Sequence, residues 1–329
     1  MRSMDAAPVA ELLAQGLLSN PDAVVEIRES TGDPHSGPGG RSYRVALAGG
    51  LAFEVLPERG LDIGSLWYGG HPIAWRSPVL AAGPDANPTG AGWVGRFTGG
   101  MLATCGLDNI GKPRETYGQH GAHHNTRAVD VNVRRTAPAG AIVSGTVAAA
   151  GVFGRQLHLH REIEAEAGQP ALTVRDVIVN EGITTEPVSL LYHINFGAPF
   201  LAPGSRVDAH AARHTARDDE TDWRTFPAPT DTVGETVWEH TDFAADRASA
   251  VVYSPGLGLH AEVSWDSTVL PRCFQWMYPS RRGWALGIEP ANAPLFGPDR
   301  SLPHAGAPLL APGERIQAGF TLAIREGTP

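Results

Sequence analysis

The chain has 329 residues, 42% of them hydrophobic, with 39 glycines, 27 prolines and a formal net charge of −9 at pH 7. The negative balance argues against a nucleic-acid binder, which needs a basic surface, and the apolar content argues against a disordered chain. Two cysteines, Cys105 and Cys273, make neither a disulfide framework nor a CxxC metal pair, and free buried thiols are the expected state.

Val9, Leu12, Leu13 and Leu17 fall at helical spacing, so residues 1–20 are expected to form an N-terminal helical arm, stopped by Asn20-Pro21. Asp5, Glu11 and Gln15 interrupt its apolar residues, unlike a secretion signal, and no run of ~18 apolar residues follows anywhere. A cytoplasmic protein that binds neither membrane nor nucleic acid is expected. It is read as a single domain over residues 1–329, monomeric or a homodimer.

Tyr43, Val45 and Leu47 alternate, as do Leu51, Phe53 and Val55, with Gly49-Gly50 as the hairpin turn between them. Arg59 and Asp62 follow, then Trp67, Tyr68 and Trp75. A guanidinium fork and a carboxylate suit the vicinal hydroxyls of a sugar, and an indole supplies a stacking face. A salt-bridged turn over core aromatics is the equal alternative. Gly92 to Gly111 is dense in glycine and reads as irregular backbone rimming a site, with Arg96, Asp108 and Asn109 as polar candidates. Its Gly111-Lys112 step runs into Pro113 without phosphate-loop spacing, so nucleotide binding is not expected.

His120, His123 and His124 form the densest histidine cluster. Imidazoles suggest a metal, but neighbouring strand residues face opposite ways, no cysteine lies near, and no carboxylate ligand follows from the spacing. No metal or other cofactor is expected. Hydrogen bonding to substrate or backbone is the preferred reading, with His124 a substrate candidate beside His120.

From Ala128 to Ile194 strand follows strand, with Leu157, Leu159, Arg161 and Ile163 on one face. Leu172 and Val174 differ in parity from Val177 and Val179, which suggests a bulge at Arg175-Asp176; Asp176 and Asn180 could then point towards a site, although a turn-forming or solvent-facing role is the preferred reading for each taken alone. Ala202 to Asp246 is the least regular interval, expected to cover one rim, with Asp218-Asp219-Glu220 as a solvated charge run. Ile316, Ala318, Phe320, Leu322 and Ile324 alternate as a closing strand. No sustained βα repeat is present, so the class is all-β.

Two strands carry the chemistry. In Ser189 to Pro199, Leu190, Tyr192, Ile194 and Phe196 share one face, leaving His193, Asn195 and Gly197 on the other. In Gly283 to Pro290, Trp284, Leu286 and Ile288 share one face, so that Gly283, Ala285 and Gly287 clear a track that ends in Glu289. If both cleared faces line one concave sheet, His193 and Glu289 are an acid/base pair over a bound substrate.

Gln119-His120-Gly121, Tyr192-His193-Ile194-Asn195 and Gly287-Ile288-Glu289-Pro290 resemble, in order and placement, the motifs of the aldose 1-epimerase (galactose mutarotase) superfamily. Glu58 to Asp62 and Thr104 to Leu107 look like a less characterised branch of it, and the likeness spans about Tyr43 to Ile324. The resemblance implies a galactose mutarotase-like β-supersandwich of antiparallel sheets with its site on a concave face. It implies Glu289 as general base, His193 as general acid, and His120 and Arg59 as substrate-binding groups. Asn195, Asp108, Arg96, His124 and Asn292 complete the candidate substrate-binding set. The usual His-Gly-Gly is here His-Gly-Ala, ending at Ala122. The implied activity is interconversion of the α and β anomers of a small-molecule sugar without a cofactor. The alternatives are a non-catalytic carbohydrate-binding protein and an isomerase or epimerase acting away from C1, possible substrates including an acidic sugar.

Overall fold

The structure is a computed structural model describing residues 6–32, 35, 39–80, 83–84, 89–114, 117–218, 221–244 and 246–327. The alternating stretches become strands, nearly all of the regular structure, in antiparallel pairs. Val25–Thr31, Arg41–Leu47, Leu51–Leu56, Asp62–Tyr68 and His71–Pro72 form a meander in chain order. An eight-stranded sheet runs, edge to edge, Arg206–Ala209, Arg247–Ser254, Leu259–Asp266, Arg315–Glu326, Ala171–Asn180, Gln156–Glu166, Gly140–Ala150 and Val129–Thr136. A six-stranded sheet runs Ala211–Ala216, Thr236–Phe243, Arg272–Tyr278, Ala285–Ala291, Ser189–Phe196 and Leu102–Leu107. This is the galactose mutarotase-like β-sandwich architecture.

One apolar core joins the three sheets. Val55 and Ile63 enter it from the meander, Leu159, Val174 and Phe320 from the eight-stranded sheet, and Leu190, Ile194, Leu286 and Ile288 from the six-stranded sheet. Burying each such side chain contributes roughly 1.5–3 kcal/mol, so period-two alternation commits the six-stranded sheet to one inward face and frees the other for a site.

The core also encloses a charge cluster that staples the sheets together. Arg161, on the inward face of its strand, sets Nη2 2.7 Å from Asp176 Oδ2 and Nη1 2.5 Å from Asp62 Oδ1. Tyr192 donates to Asp176 at 2.8 Å, and the Thr104 hydroxyl donates to Asp62 at 2.6 Å. Burial works against the Arg161 charge, but Asp176 and then Asp62 hold its pKa above the ordinary value. This cluster corrects two expectations. The strand Ala171–Asn180 pairs in unbroken register, without a bulge, because Asp176 occupies an inward position as the partner of Arg161. Asp62 is a core residue at 0% exposure and not a sugar contact.

The helix is confined to Ala6–Ala14, with Val9 in the core and Leu13 and Leu18 packed against it; residues 1–5 of the expected arm lie outside the described residues. The interval 202–246 is more regular than its composition suggested, contributing Arg206–Ala209, Ala211–Ala216 and Thr236–Phe243 to two sheets. Asp218 pairs with Arg217, while Asp219 and Glu220 lie outside the described residues. Cys105 and Cys273 are buried free thiols. Among the described residues no helix is long and apolar enough to cross a membrane.

Candidate active site

Strand register builds the site. Pairing of Ile194 with Ile288 and of Leu191 with Ala291 sets His193 opposite Glu289, and His193 Nε2 lies 3.1 Å from Glu289 Oε1. Both side chains are nearly buried. Gly287 keeps the pair uncovered: a Cβ there would stand 2.5 Å from Glu289 Oε1 and 3.1 Å from His193 Cε1. On the neighbouring strand Trp276 sits across from Gly287, and its indole fills the wall that the missing side chain leaves open.

The pair lies in a cavity of ≈ 470 Å³, within the size range of small-molecule sites. Its walls are aromatic. Trp276 stacks on Tyr278 at 8° between planes, Trp75 meets Trp276 edge-on, and Trp93 packs on Phe97 at 4.4 Å between centroids. Polar groups are few: Ser77, Lys112, Gln119, His120, Arg217 and Glu235 join the pair. Arg217 Nη1 is 2.9 Å from Glu235 Oε1, and Trp276 Nε1 donates to Glu235 Oε2 at 2.8 Å.

His120 is clamped in place. Its backbone N–H donates to the Gly111 carbonyl at 2.8 Å, and the Gly111 N–H donates to its Nδ1 at 3.3 Å. A protonless Nδ1 leaves the ring proton on Nε2 as the donor available to a ligand. Gly121 follows because nothing larger fits: its φ is +72° and a Cβ would come within 2.3 Å of Asp108 Oδ1. Ala122 has φ −97°, a conformation open to any residue, so the third position of the motif makes no demand for glycine.

Burial dominates the electrostatics. It pushes the Glu289 carboxyl well above its ordinary pKa, with the Glu235 charge adding to the effect and Arg217 opposing it. It pulls His193 well below its ordinary value, helped by His120 and opposed by Asn195. His120 is likewise lowered by burial, to about 4. Burial, the largest effect on each, favours the neutral form of both groups, a carboxylic acid beside a neutral imidazole, over an ionised pair. The two arrangements differ by one proton moved between groups 3.1 Å apart, a contact not aligned as a hydrogen bond in this structure.

Of the expected site residues, the structure brings Glu289, His193 and His120 together around the cavity. The others serve the scaffold. Arg59, at 0% exposure, donates to the His35 carbonyl and to Asn125 Oδ1, and burial lowers its pKa to about 10. The guanidinium is thus held inside the scaffold by a carbonyl and an amide oxygen. Arg96 donates to the Gly83 carbonyl. Asp108 accepts the backbone N–H groups of Asn109 and Ala122 beneath the His120 loop. His124 Nδ1 is 2.7 Å from Asp62 Oδ2. Asn195 spends Nδ2 on the Gly100 and His193 carbonyls, and Asn292 bridges the Leu190 N–H and the Val188 carbonyl. These side chains satisfy backbone groups that burial would otherwise leave unpaired.

His123 meets the Gly60 carbonyl, so the three clustered histidines face three different partners; among the described residues no three His, Cys, Asp or Glu side chains converge as a metal site. Trp276, Tyr278, Arg217 and Glu235 were not foreseen. Trp276 and Tyr278 had a signal, since period two from Phe274 puts both on one strand face. Arg217 and Glu235 had none, being brought together across an 18-residue separation.

No curated protein matches the chain. Among solved structures, a provisionally assigned aldose 1-epimerase from Klebsiella pneumoniae superposes with a TM-score of 0.83 at 24% identity, over 92% of this chain and 83% of that one. A galactose mutarotase-like protein from Clostridium acetobutylicum gives 0.64 at 16% identity, over 92% and 99%. A provisionally assigned aldose 1-epimerase from Escherichia coli K12 gives 0.59 at 14%, over 85% and 97%. At these identities the likeness establishes the fold. In sequence, residues 37–324 match the profile of a domain of unknown function, DUF4432; the match covers most of the chain, and the protein belongs to that family.

Proposed function

We propose that the protein is an aldose 1-epimerase, interconverting the α and β anomers of a sugar by ring opening and reclosure. The observation that carries this reading is the Glu289–His193 pair, 3.1 Å apart in an aromatic cavity. The names of the structural neighbours point the same way. In the productive arrangement Glu289 has passed its proton to His193 Nε2. Glu289 then takes the proton of the anomeric hydroxyl while His193 protonates the ring oxygen and the C1–O5 bond breaks. The open-chain aldehyde is left beside a neutral acid and a neutral imidazole, the proton arrangement that burial favours. Rotation about C1–C2 presents the other carbonyl face, and the reverse transfers close the ring as the opposite anomer. No proton is gained or lost over the cycle. His120, through Nε2–H, is placed to hold a sugar oxygen near the reacting centre, and the indoles supply apolar faces for the ring.

The test is saturation-transfer NMR of anomer exchange over a panel of neutral and acidic sugars, with wild type and Glu289→Gln. Acceleration by wild type that falls about 10²–10⁴-fold in the variant is the expected result. Wild type that accelerates no sugar in the panel would remove the epimerase reading.

A further inference from the structure

Lys112 is the single lysine among 26 basic residues, and it lines the cavity. The proposed reaction does not use it. The other basic side chain of the lining, Arg217, is already neutralised: Nε lies 2.7 Å from Asp218 Oδ2 and Nη1 lies 2.9 Å from Glu235 Oε1. Lys112 has no ion pair among the described residues. Among the described residues of the lining, Lys112 is thus the basic side chain without an ion pair, in a chain whose net charge is −9.

The lysine is also placed. Gly111, immediately before it, exchanges two hydrogen bonds with His120. The Lys112 carbonyl accepts from Asn109 Nδ2 at 3.1 Å, and Pro113 biases Lys112 towards an extended backbone. The exposed side chain thus leaves a braced loop directly beside the substrate histidine. A compact ammonium with three donors suits a carboxylate, a sulfonate or a phosphate alike.

We propose that the substrate is an anionic sugar whose charged group is received by Lys112 at the mouth of the cavity. This rests on the reading of the cavity as a sugar site. The test measures anomer exchange of glucuronate, glucose 6-phosphate and 6-deoxy-6-sulfoglucose against glucose, and of galacturonate against galactose, with wild type and K112Q. The expected result is a preference in kcat/KM for an anionic sugar over its neutral parent of about tenfold or more, expressed mainly in KM. K112Q reduces that preference about tenfold, K112R retains most of it, and about 0.5 M salt weakens it. The anion showing the largest effect identifies the group.

Calorimetric binding in an E289Q background, with and without K112Q, separates this inference from the epimerase reading. Lys112-dependent binding of an anionic sugar, with no exchange by wild type, supports the substrate class and removes the epimerase activity. Exchange that treats charged and neutral sugars alike, with the same ratio in K112Q, keeps the activity and overturns the substrate class. Absence of any Lys112-dependent preference in either assay also overturns it.

Discussion

Replacing Asp62 with asparagine tests the charge cluster on which the sheets converge. The carboxylate is fully buried and accepts from the Thr104 N–H at 2.8 Å and hydroxyl at 2.6 Å, from Arg161 Nη1 at 2.5 Å, and faces His124 Nδ1 at 2.7 Å. Burial alone would raise its pKa; the His124 hydrogen bond and then Arg161 outweigh burial and hold it at about 2, from an ordinary 3.8. That depression corresponds to about 2–3 kcal/mol of folded-state stabilisation at neutral pH. Asparagine keeps the shape, but removes the charge and turns amide hydrogens towards Arg161 or His124. Taking one partner from a buried ion pair costs about 3–5 kcal/mol, so a loss near 3 kcal/mol is expected. Urea unfolding at pH 7 measures it. The sign with pH is also set: a depressed carboxylate stabilises fully above its unfolded value and loses that contribution as pH falls from 3.8 towards 2. Wild type therefore loses stability in that window through Asp62, and the variant lacks this loss. A variant within 1 kcal/mol of wild type, with the same acid dependence, would refute the reasoning (about 1 kcal/mol being the size of a single ordinary hydrogen bond).

Gly287→Ala puts a methyl group 2.5 Å from Glu289 Oε1 on a backbone that any residue can adopt. It is expected to keep circular dichroism and Tm close to wild type while anomer exchange falls about a hundredfold or more; retained exchange would show that the pair is not the reacting centre. The pH profile is expected to be a bell, because the working pair carries one proton. Activity falls on the acid side as His193, lowered by burial, takes a second proton, and on the alkaline side as Glu289, raised by burial and Glu235, gives up the last. Glu235→Gln should move the alkaline limb to lower pH, and a shift to higher pH would contradict the assigned role of Glu235.

The architecture was legible where burial imposes a period. Leu190 to Phe196 and Ile316 to Ile324 show their inward faces in the sequence, and so did the glycine-cleared track ending at Glu289. Legibility failed where a charged residue took an inward place. Asp176 broke the apolar alternation on paper and was read as a bulge, although Arg161, equally out of place on an apolar face, was its partner. The site divided in the same manner. Glu289 and His193 were visible because a sheet face displays them, whereas Arg59, Asn195 and Asn292 have the chemistry of ligand contacts but spend it on carbonyl and N–H groups of the scaffold. Which polar residues are consumed in this way depends on loop paths that no local pattern encodes. The pairing of Arg217 with Glu235 depends on them too.

The acid/base pair exists in only one strand register. A slip of one residue between Ser189–Phe196 and Ala285–Ala291 turns Glu289 into the core, and a slip of two sets Gly287 or Ala291 against His193. Since 96 residues separate His193 from Glu289 along the chain, no N-terminal fragment, however well its meander and first strands fold, carries a working centre. If the proposed function holds, turnover would report that the Ala285–Ala291 strand has docked in register. Under the proposed function, activity and completed assembly of this strand pair would coincide.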